Sequence, residues 1–120
     1  MSWASLLANK EAQQHVTSPR ELDNMRQLIA RDLADAALPG LSADRKFATA
    51  YNAALQAANM AIACAGYRIT AKTGHHKISL ESAALVLGNA EGQRLTDYFD
   101  TCRRKRNQID LHILERCYRD

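Results

Sequence analysis

At 120 residues the chain has the length of one domain, and its 47% hydrophobic content with only two prolines and five glycines favours helices over sheet. A formal charge of +3 is modest, so non-specific nucleic-acid binding cannot be argued from the total, and the distribution of charge is what counts. Three cysteines without a CxxC or Cys/His spacing argue against zinc and a disulfide framework, and no stretch approaches the roughly eighteen apolar residues of a membrane span.

Residues 1–17 are weakly patterned and read as an N-terminal arm, in which Trp3, Leu6 and Leu7 can dock as a short helix. At Ser18-Pro19-Arg20-Glu21 a capping serine, a first-turn proline and a glutamate three residues past the cap predict a helix start with a full capping box. That helix carries Leu22, Met25, Leu28, Ile29 and Leu33 at helical spacing and stops at Leu38-Pro39-Gly40. Ser42 caps a longer, alanine-rich helix, the expected spine, whose stripe from Phe47 through Tyr51, Leu55 and Ile62 to Ile69 predicts helix to about Thr73. In that reading Gly66 is an interior glycine and Gly74 closes the helix in the left-handed conformation. A loop holding His75, His76 and Lys77 leads to a third helix over 79–87, ended by Gly88-Asn89. A fourth begins at Ala90 or Glu91 and runs to about Cys117. No strand signal is visible. The expected fold is all-α: residues 18–120 form a single antiparallel up-and-down bundle of four main helices, preceded by the arm or short helix.

The last helix carries most of the chemical information. Seven of the sixteen lysines and arginines fall between Arg94 and Arg119, and Arg103, Arg104, Lys105 and Arg106 are contiguous. Taken alone, the first three also suit a solvated helix face. Leu95, Tyr98, Phe99, Cys102, Ile109 and Ile113 form one apolar stripe, and Arg106 falls on it. An arginine there needs a partner. It is either paired with Asp110 one turn on as a buried link, or it lines a groove that handles an anion, above all phosphate. Arg103, Arg106, Asn107 and Asp110 share a face, whereas His112 lies about 120° around the helix from Arg106, so a symmetry mate is one way to bring the two groups together. A homodimer is expected, because one short bundle would struggle to satisfy Arg106 on an apolar stripe. The four histidines form no metal-binding spacing, and no hydrolase or nucleotide-cofactor signature is present, so neither metal nor cofactor is expected. His75 and His76 also read as helix-end caps. Reduced thiols and the lack of a cleavable leader predict an unprocessed, cytoplasmic protein without a membrane span.

Over residues 45–112 the chain resembles the HEPN superfamily of small helical domains, often encoded beside nucleotidyltransferases as toxin and antitoxin pairs. The likeness rests on Ala50-Tyr51, Gly66-Tyr67-Arg68, Gly74-His75-His76, Tyr98-Phe99-Asp100, and Lys105-Arg106-Asn107 with Asp110. The family motif is an arginine, often followed by a polar residue, and a histidine after four to six positions; Arg106-Asn107 and His112 match it, while Leu111 stands where the Arg-Asn branch usually has an aromatic hydroxyl. The resemblance implies a dimer whose groove binds RNA or a nucleotide, or cleaves RNA without a metal. Arg106 would stabilise phosphate charge, His112 would act as general acid or base and Asn107 would orient them. Arg103, Arg104 and Lys105 would contact nucleic acid, with Asp110, His75 and His76 in support. A nucleotidyltransferase-type or other antitoxin would be the partner protein.

Overall fold

The computed structural model describes residues 2–88 and 90–119, with side chains described to Ile109; Asn89 and the side chains from Asp110 onward lie outside the described residues. Helix α1 (Trp3–Ala8) leads into strand β1 (Ala12–Gln14), and helices α2 (Pro19–Ala36) and α3 (Ala43–Cys64) follow. Strand β2 (Tyr67–Ile69) then precedes α4 (His75–Leu87) and α5 (Ala90–Arg119). The protein is therefore mostly helical, as its composition predicts, with a small antiparallel ribbon pairing Ala12 with Ile69, Gln13 with Arg68 and Gln14 with Tyr67.

The ribbon corrects two expectations at once. The spine helix ends at Cys64, because Gly66 adopts φ +93°, a conformation open to glycine and strained for other residues. The chain leaves the helix there, and Tyr67–Ile69 find backbone partners in β1. Periodicity misled at this point because Ile69 is buried either way, at 8% exposure, against the ribbon's own cluster. The N-terminal segment is likewise integrated: Leu6 and Ala12 pack with Ile62 and Ile69, and Trp3 stacks on Tyr67 with ring centroids 4.0 Å apart.

Helix caps follow the sequence with two exceptions. Ser18 Oγ accepts from the Glu21 N–H at 3.1 Å and Ser42 Oγ from the Arg45 N–H at 3.2 Å. The expected capping box is only half made, because the Glu21 carboxylate instead contacts His15 Nε2 and accepts from Thr17 Oγ1, both at 2.7 Å. Helix α4 starts at His75, four residues earlier than predicted, behind Gly74 at φ +69° with no side-chain cap. His75 and His76 thus sit in its first turn and do not cap it.

Helix α3 is the spine of the packing. It contacts α2, α4, α5 and β2, and α4 packs on α5. Two clusters lie along it: Ile62 joins the ribbon and α1, while Tyr51, Leu55, Ala58 and Leu80 gather Phe99 and Cys102 from α5. Small side chains let α4 approach closely, with Ser79 and Ser82 fully buried. Thr96 ties α5 to α4 by donating from Oγ1 to the Leu80 carbonyl at 3.2 Å. By contrast α2 buries no residue fully, and Leu33 on it is 55% exposed.

Candidate functional site

Tyr51 is the point where the core meets the basic helix. Its side chain is almost fully buried from α3, and the Arg106 guanidinium lies over its ring, 5.3 Å from the centroid. Tyr51 Oη also stands 3.5 Å from His76 Nδ1, at the outer limit of a hydrogen bond. Three helices thus bring a phenol, an imidazole and a guanidinium together. His75 lies alongside, its ring centroid 6.0 Å from that of His76.

The electrostatics follow from this packing. Burial raises the Tyr51 phenol above its ordinary value, and the positive charge of Arg106 opposes that rise only in part. Burial also lowers His76, and Arg106, His75 and Arg103 push in the same direction. His76 is therefore held as a neutral imidazole at neutral pH, able to accept a proton. The unfolded chain takes up this proton near the ordinary value of 6.5, while the folded chain resists it to lower pH. Folding stability should accordingly fall as pH drops from 6.5 through the depressed value. Thermal melts across that range should show the drop, and His76→Asn should flatten the His76 contribution; an unchanged slope in that variant would contradict the assignment.

The basic run divides by position. Arg103 Nε donates to Asp100 Oδ1 at 3.0 Å, and Arg104 Nε lies 3.6 Å from Asp100 Oδ2, so one carboxylate serves both. Lys105 lies over the Phe47 ring at 4.8 Å. Arg106 is half-buried, and its Nε is buried with no hydrogen-bond partner among the described residues. The accessible part of this half-buried guanidinium, beside a neutral imidazole, suits a phosphate or carboxylate oxygen.

Of the residues singled out in the sequence, the structure gathers Arg103, Arg106 and His76, with His75 at the margin. Asn107 is exposed and makes no hydrogen bond with another described side chain. Asp110, Leu111 and His112 lie outside the described side chains, so the Arg106–Asp110 pairing and the Arg106–His112 motif are not part of this geometry. Tyr51 was named only as part of a family-like dipeptide and of the core stripe. Its role at the site could not be read from spacing, because it lies 25 positions from His76 and meets it only through the α3–α4 packing.

Among the described residues no group of histidine, cysteine, aspartate or glutamate is placed to hold a metal ion, and Cys64 and Cys102 are free thiols. No helix of the described residues is long and apolar enough to cross a membrane. No family model, curated protein or solved structure matches the chain.

Proposed function

We propose that the protein is a HEPN-like helical domain that binds RNA and cleaves it without a metal ion, with α2 to α5 as its antiparallel up-and-down bundle. The observation that carries this reading is Arg106, whose buried Nε lacks a partner while its guanidinium stacks on Tyr51 beside His76. A scissile phosphate would pair with the accessible part of this half-buried guanidinium. Neutral His76 is suited to take the proton from a 2′-hydroxyl as its oxygen attacks phosphorus. The O5′–P bond then breaks, leaving a 2′,3′-cyclic phosphate and a 5′-hydroxyl. Arg106 offsets the charge gathering on the phosphoryl oxygens. In this proposal a protonated His112 donates its own proton to the leaving oxygen, as the motif implies, and Arg104 holds the flanking backbone.

A second copy is part of the proposal. Leu95 is 44% and Tyr98 63% exposed, beside two apolar troughs of about 210 and 170 Å³ that share Ala54 and Phe99. Glu91, Leu95, Tyr98, Cys102 and Lys105 recur at steps of four and three, the spacing of a helix-pairing seam. An antiparallel partner centred on Tyr98 sets Glu91 opposite Lys105, so the seam is complementary in charge as well as shape. Wild-type protein should sediment as a dimer at micromolar concentration and Tyr98→Arg as a monomer. A monomeric wild type would remove this part of the proposal.

Cleavage of a mixed RNA in the presence of a chelator tests the chemistry. His76→Ala should slow it by about a hundredfold or more. Retained binding without any cleavage would favour the non-catalytic alternative, a nucleotide- or nucleic-acid-binding module. Absence of both would remove the RNA reading. A neutralising antitoxin, of nucleotidyltransferase type or otherwise, would be expected to cover the same groove.

A further inference from the structure

A second cavity lies apart from the Arg106 cluster. It encloses about 460 Å³ between α2, α3, β2 and the start of α4, and its floor is made by the buried Ile62, Ala63 and Ile69. On its walls Gln56 and Asn59 project from successive turns of α3, and Arg68 projects from β2. None of these three makes a hydrogen bond with another described side chain, although both amides are half-buried. The carboxylate on the rim is already occupied: Glu21 contacts His15 and accepts from Thr17, and these contacts, Thr17's first, hold its pKa below the ordinary value. The cavity thus offers neutral amides over an apolar floor, with the Arg68 guanidinium on one side, its charge acting on Glu21 without a hydrogen bond.

We propose that this cavity is a nucleobase subsite, which takes one base of the bound strand and selects it through Gln56 and Asn59. A planar heterocycle fits the lining better than a sugar or a peptide does. Each amide offers a donor and an acceptor in one plane, the pattern that reads a base edge, and Met25 from α2 adds an apolar side chain to the lining. The volume falls within the range of pockets that hold molecules of nucleotide size. Arg68 is placed for the phosphate of the same nucleotide.

The connection to the first site is direct. His75 lines the cavity and its neighbour His76 belongs to the Arg106 cluster, with their ring centroids 6.0 Å apart. The two sites therefore adjoin through consecutive residues at the start of α4, an arrangement in which one strand would place a base in the cavity and a neighbouring phosphate on Arg106. The identity of the ligand as part of an RNA strand rests on the functional reading above; the base-binding property of the cavity does not.

Titration of the full chain with each of the four nucleoside 5′-monophosphates, followed by amide chemical shifts in the presence of a chelator, tests this assignment. One monophosphate should bind in preference to the others, with shifts at Gln56, Asn59, Arg68 and Ile69. Asn59→Ala and Gln56→Ala, both compatible with a helix, should each weaken it by about tenfold or more, since a matched base edge is worth about 1–3 kcal/mol. Arg106→Ala should still bind the monophosphate. No binding by any of the four, or binding untouched by both amide variants, would overturn the assignment. So would shifts confined to Tyr51, His76 and Arg106. Monophosphate binding in a protein that neither binds nor cleaves RNA would support the subsite while removing the RNA reading, so the two failures are separable.

Discussion

Arg106→Ala is expected to weaken binding of single-stranded RNA by about tenfold to a hundredfold, because a charge-assisted bond to phosphate contributes about 1.5–3 kcal/mol. The same change should cost little stability. It forfeits a cation–π contact with Tyr51 that is worth about 0.5–2 kcal/mol. It also removes a buried donor with no described partner, and an unmade bond of that kind carries a penalty of about 1–3 kcal/mol. The two effects oppose each other, so the melting midpoint should move by no more than about 5 °C in a domain of this size. Filter binding and thermal melts on one preparation read both quantities. Arg106→Lys separates charge from shape, since it keeps the charge and loses the planar fork; it should recover only part of the affinity. A stability loss of about 3–5 kcal/mol with unchanged RNA binding would mean instead that Arg106 is half of a buried ion pair. That outcome would remove the phosphate site.

Ile62→Ala is expected to have the largest effect on folding. Ile62 is 1% exposed and joins Leu6, Ala12 and Ile69, so it is the residue through which α3 holds both the ribbon and α1. Truncating a buried isoleucine of this kind costs about 2–5 kcal/mol, through lost transfer energy and the cavity left behind. A domain stabilised by about 5–15 kcal/mol would lose a large share of that margin. Urea titration gives the value directly. Leu33→Ala serves as the comparison, because Leu33 on α2 is 55% exposed and should change stability by no more than about 0.5 kcal/mol. A loss below about 1 kcal/mol at Ile62 would show that the ribbon and α1 are not held through this contact.

Local signals in the sequence account for most of the helices, because a helix start or stop is decided by a few adjacent residues. Ser18 with Pro19, and Ser42, mark two helix starts and Gly88 marks a helix end, as the structure has them. The apolar face of α5 was legible in the same way, although among its described residues Phe99, Cys102 and Ile109 pack inward while Leu95 and Tyr98 are exposed. The ribbon was not legible, since three-residue strands such as Ala12–Gln14 have no periodicity of their own and exist only through each other.

The sequence by itself determined the helical class, the cluster of positive charge at Arg103 to Arg106 and the misplacement of Arg106 on an apolar stripe. These are properties of neighbouring residues, and helical geometry alone carries them from one turn to the next. Only the tertiary structure decided that Arg106 lies on Tyr51, that Tyr51 meets His76, and that Gln56 and Asn59 line a cavity with Arg68. Those groups come from separate elements. Their meeting depends on Gly66 turning the chain back at the end of α3, so that β2 seals against β1 and α4 returns along the spine. A single backbone angle at one glycine redirects everything after it, and its consequences appear only when distant elements pack.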